Sequence, residues 1–72
     1  MKLSECAIGS TAYVKGNSLP ESTSRRLEVL GMTRGTGLEV INNKSGGTMI
    51  VRIRSSRFAL GRGITEKIEV SL

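Results

Sequence analysis

The stretch Arg25-Arg26-Leu27-Glu28-Val29-Leu30-Gly31-Met32-Thr33-Arg34-Gly35-Thr36-Gly37-Leu38-Glu39-Val40 allows few folds. It reads as the end of a short amphipathic helix, a glycine stop, a tight glycine-rich turn and a strand. Leu19, Thr23, Leu27 and Leu30 recur at spacings of three and four and form one apolar stripe, with Arg25, Arg26 and Glu28 largely off it. Gly31 takes the left-handed C′ position without steric penalty. Met32 is then placed to touch Leu27 across the helix end, as in a Schellman motif. That order of elements describes an interaction module rather than a catalyst.

Period-two alternation supplies the rest of the chain. In Thr11-Ala12-Tyr13-Val14-Lys15, Ala12 and Val14 share one face while Tyr13 and Lys15 share the other. Gly16-Asn17 breaks this strand. Ser18-Leu19-Pro20-Glu21 then has the spacing of a capping box with Pro in the first turn, which predicts a helix start near Ser18, or near Ser22 if the box is only a turn. After the Thr33–Gly37 turn, Leu38 and Val40 alternate with Glu39 and Ile41, and 42–47 supplies a reversal. Met49, Val51 and Ile53 alternate with Ile50, Arg52 and Arg54. After Ser55-Ser56, Phe58 and Leu60 alternate with Arg57, Ala59 and Gly61. This is a hairpin with one apolar and one basic face. Arg62–Glu66 reads as one short turn, and Ile68, Val70 and Leu72 close the series against Lys67, Glu69 and Ser71. Two exposed edges on such short strands would invite pairing with other chains, so partial closure is expected. The prediction is a mostly β fold, a small, partly open barrel of about five strands with one short α-helix between strands 1 and 2, as a single domain over residues 1–72.

A chain of 72 residues buries only about 60% of the surface its unfolded form exposes. Cores this small usually gain from disulfides, metals or association. Cys6 is the lone cysteine and histidine is absent, which excludes an internal disulfide and any His/Cys metal cluster. Cys6 lies between Leu3 and Ile8 in an apolar start, and is expected to be a buried structural thiol rather than a reactive one. An unpaired thiol fits a reducing cytosol. Met1-Lys2-Leu3-Ser4-Glu5 lacks the long apolar stretch of a signal peptide, and no apolar run is long enough to cross a bilayer. The expected location is cytoplasmic.

Catalytic devices find little material. General acid–base chemistry draws on His or on carboxylates with perturbed pKa, yet His and Asp are absent and the six Glu are scattered. Cys6 has no His base. Gly35-Thr36-Gly37 and Gly61-Arg62-Gly63 lack the spacing of a phosphate-binding loop and read as turn and strand-end glycines. Cys6, the dispersed Glu, Met1, Met32 and Met49 are too poor a donor set for a dedicated iron site. No enzyme activity, metal or cofactor is expected.

The remaining signal is a surface. The net charge is +5, and Arg supplies most of the basic residues, which suits bidentate contact with carboxylates or phosphates. Arg52, Arg54, Arg57 and Arg62 fall on or near the predicted hairpin, with Arg25 and Arg26 on the helix. Such a patch pairs with acidic protein segments, anionic lipid head groups or nucleic acid, or stays solvated. Sequence-tolerant binding of single strands normally uses several aromatic platforms, and this chain offers only Tyr13 and Phe58. Phe58 alternates with the core set. Tyr13 points the other way, so Tyr13, Arg52, Arg54 and Arg57 are the expected partner-binding residues.

The stretches Arg26-Leu27…Leu30-Gly31-Met32…Gly35-Thr36, Leu38-Glu39-Val40 and Val51-Arg52-Ile53-Arg54…Arg57-Phe58-Ala59-Leu60…Ile68 together resemble the ferrous iron transport protein A (FeoA) family. The resemblance runs from about Leu3 to Val70. It implies a small cytosolic SH3-like protein, an accessory of bacterial ferrous iron uptake that acts on the membrane iron transporter FeoB rather than carrying the ion. Two places depart from the family pattern. Gly46-Gly47-Thr48-Met49 replaces a Gly-x-Pro-aliphatic turn, and Thr65 stands where a small apolar residue is common. The rival reading is a small basic SH3-like nucleic-acid-binding protein, which a steep salt dependence of binding would reveal. A Pro-rich-peptide adaptor would want a groove lined with aromatics that this chain mostly lacks.

Overall fold

The structure is a computed structural model, and it describes residues 1–44 and 47–72. A 3₁₀ turn, Leu3–Glu5, precedes β1 (Thr11–Asn17), α1 (Glu21–Val29), β2 (Gly37–Asn43), β3 (Met49–Ile53), β4 (Ser56–Leu60), α2 (Arg62–Thr65) and β5 (Ile68–Ser71). The strands form one antiparallel sheet in the order β4-β3-β2-β1-β5. Its edges, β4 and β5, do not pair with each other, so the barrel stays open. The mostly β architecture, with its helix between the first two strands, is the one the alternation predicts.

One face of the sheet is dry across β1, β2, β3 and β5, and at Leu60 of β4. Ala12 and Val14, Leu38 and Val40, Met49, Val51 and Ile53, Leu60, and Ile68 and Val70 are all buried. Leu3 and Cys6 from the first turn, Leu27 from α1 and Met32 complete the core, with Phe58 and Ile64 packed against it. Phe58 thus lies where its alternation puts it, although only partly buried. Leu72, in step with Ile68 and Val70, is exposed beyond the last strand.

Of the two expected helix starts, the structure takes the one near Ser22, and the Ser18–Glu21 box is not a cap. α1 begins at Glu21, with Pro20 at the N-cap and no side chain capping the free amides. Asn17 takes over the local hydrogen bonding. Its Oδ1 accepts the Leu19 N–H at 3.1 Å and its Nδ2 donates to Ser24 Oγ at 3.1 Å. The Ser18 N–H donates to the Lys67 carbonyl at 3.0 Å, which ties this segment to the start of β5 instead of to a helix. The apolar stripe is also shorter than its spacing suggests, because Leu30 is the C-cap and is 40% exposed.

The helix stop is as predicted. Gly31 has φ +102°, its N–H donates to the Glu28 carbonyl at 3.0 Å, and the Met32 N–H donates to the Leu27 carbonyl at 2.9 Å. Those are the two bonds of a Schellman motif. Farther on, β2 shifts register against β3 between Val40 and Asn42. Beyond that bulge, Asn43 Nδ2 donates to the carbonyls of Ser4 (3.1 Å) and Cys6 (2.9 Å) and pins the N-terminal turn to the end of β2. The reversal expected over 42–47 includes Ser45 and Gly46, which lie outside the described residues, as does the start of the Gly46–Met49 departure.

The two sheet edges are treated differently. The Val70 N–H donates to the Met1 carbonyl at 2.8 Å, the Met1 ammonium donates to the Val70 carbonyl at 3.1 Å, and Lys2 bridges Glu69. The first residues therefore shield part of β5. β4 is followed directly by the single turn of α2 and presents the basic hairpin to solvent.

Candidate functional site

The outer face of the sheet is where the expected contact residues fall. In β3 and β4, Ile53 opposes Ser56 and Arg52 opposes Arg57. Only Arg54 and Ser55 remain for the turn, a two-residue hairpin loop. Arg54 has φ +59°, the one non-glycine residue with positive φ among the described residues. A positive φ at the first loop position alone is the pattern of a type II′ turn, where glycine is the usual occupant. The expectation that Arg54 alternates outward from a strand is therefore corrected: it sits at the exposed hairpin tip, in a conformation that costs an L-residue about 1–2 kcal/mol.

Strand register assembles a row behind that tip. Thr11 opposes Glu39, Glu39 opposes Arg52, and Arg52 opposes Arg57, so these four cross β1, β2, β3 and β4 on the outer face. The Arg52 guanidinium donates to the Glu39 carboxylate, with both side chains about 40% exposed. Arg52 is consequently already paired, a constraint that needs the register to see. Arg54 and Arg57 are exposed and form no ion pair among the described residues. Arg57 faces the charge of Arg52 directly, an arrangement that favours capture of an anionic group from outside.

Tyr13 lies on the same outer face, opposite Gly37 on β2 and Ser71 on β5. It is 47% exposed. Its ring covers Gly37 so closely that a Cβ there would lie 3.0 Å from Tyr13 Cε1. Two strand spacings and two residues separate it from Arg52, roughly 12 Å between Cα atoms. Tyr13 and Arg52 thus share the outer face of the sheet.

Of the other candidate cations, Arg26 is exposed on α1 with no ion pair among the described residues, and two serve local structure. Arg25 pairs with Glu21 at 2.6 Å and Arg62 with Glu66 at 3.6 Å, both at i,i+4 spacing and exposed, where such pairs contribute little. With Phe58 turned to the core, Tyr13 is the exposed aromatic, which is sparse for a nucleic-acid platform. Cys6 is 1% exposed, and burial pushes its thiol above the ordinary value, partly offset by the N-terminal ammonium. Among the described residues no three or more His, Cys, Asp or Glu are grouped to hold a metal, and no helix is long and apolar enough to cross a membrane.

The family model described as the FeoA domain matches residues 1–72. Among solved structures, the solution structure of FeoA from Chlorobium tepidum is 32% identical, with a TM-score of 0.89 over 97% of this chain and 68% of that one. A crystal structure described as an iron uptake regulatory protein (FeoA) is 26% identical, with a TM-score of 0.88 over 97% of this chain and 93% of that one. FeoA of Stenotrophomonas maltophilia, crystallised with zinc, is described as a procaryotic SH3 domain protein and a candidate ferrous iron transport activating factor. It is 26% identical, with a TM-score of 0.83 over 99% of this chain and 89% of that one. No curated protein sequence matches.

Proposed function

The chain belongs to the FeoA family, and from that premise we propose that it is a non-enzymatic, cytosolic accessory of bacterial ferrous iron uptake that docks on the cytosolic side of the membrane transporter FeoB. Docking uses the outer face of the β3–β4 hairpin, with Arg54 and Arg57 making the charged contacts, Arg52 holding their row in place through Glu39, and Tyr13 adding an amphipathic contact. The single FeoA-like domain over residues 1–72 suffices for this role.

The observation that carries this reading is Arg54. A strained backbone conformation persists where something other than stability favours it, and such outliers concentrate at functional positions. Glycine would relieve the strain at the hairpin tip, whereas Arg places a bidentate cation in the exposed loop. Exposed Arg57 doubles that charge on a strand whose outer edge no other strand covers.

The test is complementation in a bacterium lacking its own copy, with ferrous iron uptake followed by tracer. Replacing Arg52, Arg54 and Arg57 with Ser is expected to leave the protein folded and to reduce uptake toward that of the deletion strain. Uptake equal to the parent's, with the variant folded and equally abundant, would remove the hairpin face from the mechanism.

A further inference from the structure

Across the sheet from the hairpin, a groove of about 430 Å³ lies beside β1 and β5, and Lys2, Lys15, Arg34, Lys67, Glu66 and Glu69 bring its charge. We propose that this groove binds an extended, glutamate- or aspartate-rich polypeptide segment of a partner protein, at a site separate from the hairpin face. It is an open depression on the surface, which suits a chain laid across it rather than an enclosed small molecule.

Charge is the first reason. Both acidic lining residues have partners of their own: Glu66 pairs with Arg62 at 3.6 Å and Glu69 with the Met1 ammonium at 2.5 Å. Lys2, Lys15, Arg34 and Lys67 form no ion pair among the described residues. The groove therefore presents four uncompensated cations around one concavity, a field that concentrates anionic ligands.

Preorganisation is the second. Arg34 Nε donates to the Lys15 carbonyl at 2.8 Å, which restrains the guanidinium and leaves its terminal nitrogens without a partner among the described residues. Less side-chain freedom is then lost on binding. Beneath it, β1 shifts register against β5 between Val14 and Gly16. Gly16 has no side chain to fill the floor, and the nearest atom to a Cβ built there is Arg34 Nη2 at 4.0 Å.

Shape decides between classes of anion. The four cations come from separate places, the first residues, β1, the turn after α1 and the start of β5, and an adjoining depression that shares Gly16, Asn17 and Arg34 ends at Glu28, so an acidic chain is held on the lysine side of Arg34. Cations set apart around one concavity suit successive carboxylates of an extended chain better than one compact oxyanion. No aromatic side chain lines either part, so a nucleotide base would find no stacking partner.

Titration of ¹⁵N-labelled protein with synthetic octaglutamate at low salt is the test, with inorganic phosphate and oligothymidylate as comparison probes. The expected shifts centre on Lys15, Gly16, Asn17, Arg34 and Lys67, and weaken as salt rises. Lys15→Glu with Lys67→Glu should lower octaglutamate affinity about tenfold, since opposed charges oppose docking. Arg34→Gln should lower it too. The proposal is overturned if octaglutamate shifts centre on Arg54 and Arg57, if the charge reversals do not weaken binding, or if phosphate or oligothymidylate binds the groove as well as the peptide does.

Discussion

Arg54→Gly should make the protein more stable while making it worse at its task. A left-handed conformation costs an L-residue about 1–2 kcal/mol, and glycine removes that cost at the first position of the hairpin loop. Glycine's greater freedom in the unfolded chain returns roughly 0.5–1 kcal/mol. The net gain is then on the order of 0.5–1 kcal/mol. For a domain this small the urea dependence is about 1 kcal/mol per molar, so the midpoint should rise by about 0.5–1 M. Arg54→Ala keeps the positive φ and loses only the charge, so its midpoint should stay near the parent's. Equilibrium urea unfolding followed by circular dichroism reads both. A lowered or unchanged midpoint for Arg54→Gly refutes the strain. A raised midpoint combined with undiminished binding to the transporter separates the strain from any role in docking.

Gly31→Ala forces a side chain into φ +102°, and although its Cβ would meet only Ile53 Cγ2 at 3.6 Å, the backbone cost is about 1–2 kcal/mol. Gly61→Ala, at φ −69° with nothing within 4 Å of the new Cβ, should stay within about 0.5 kcal/mol of the parent in the same urea assay. Arg52→Ser leaves Glu39 unpaired and should destabilise by up to about 1 kcal/mol, whereas Arg57→Ser relieves a like-charge pair and should not destabilise at all. Cys6 should resist a thiol reagent in the native protein and react once urea unfolds it. Because its folded pKa is raised, its contribution to stability is complete below the unfolded thiol value of about 8.5 and is lost as pH rises through the folded value. Cys6→Ala should abolish that part of the alkaline decline.

What could be read from the residues was local. Gly31 and Met32 specify the helix stop within a few positions, and alternation separates Val51 and Ile53 from Arg52 without knowing which strand lies beside them. Choices settled by distant partners were hidden. Ser18 reads as a cap, yet its amide bonds to Lys67, far along the chain, and Asn17 takes the local bonds instead. The Glu39–Arg52 pair depends on register, which the β2 bulge shifts by one residue. Arg54 escapes the period-two pattern because Arg-Ser carries none of the usual glycine or asparagine signature of a tight hairpin, so alternation extends one residue past the strand. Leu30 fits the helical stripe by spacing, yet it is the C-cap and stays exposed. The basic groove was invisible because Lys2, Lys15, Arg34 and Lys67 meet only when β1, β5 and the turn after α1 come together.

The most direct test of docking through the hairpin face is to add the purified cytosolic region of FeoB to ¹⁵N-labelled protein and map which amides change. Perturbation should centre on Arg52, Arg54, Ser55 and Arg57, extend to Tyr13, and vanish with the Arg52, Arg54 and Arg57 replacements. Binding that leaves those amides unmoved and perturbs the exposed Val29–Leu30 end of α1 instead would contradict it.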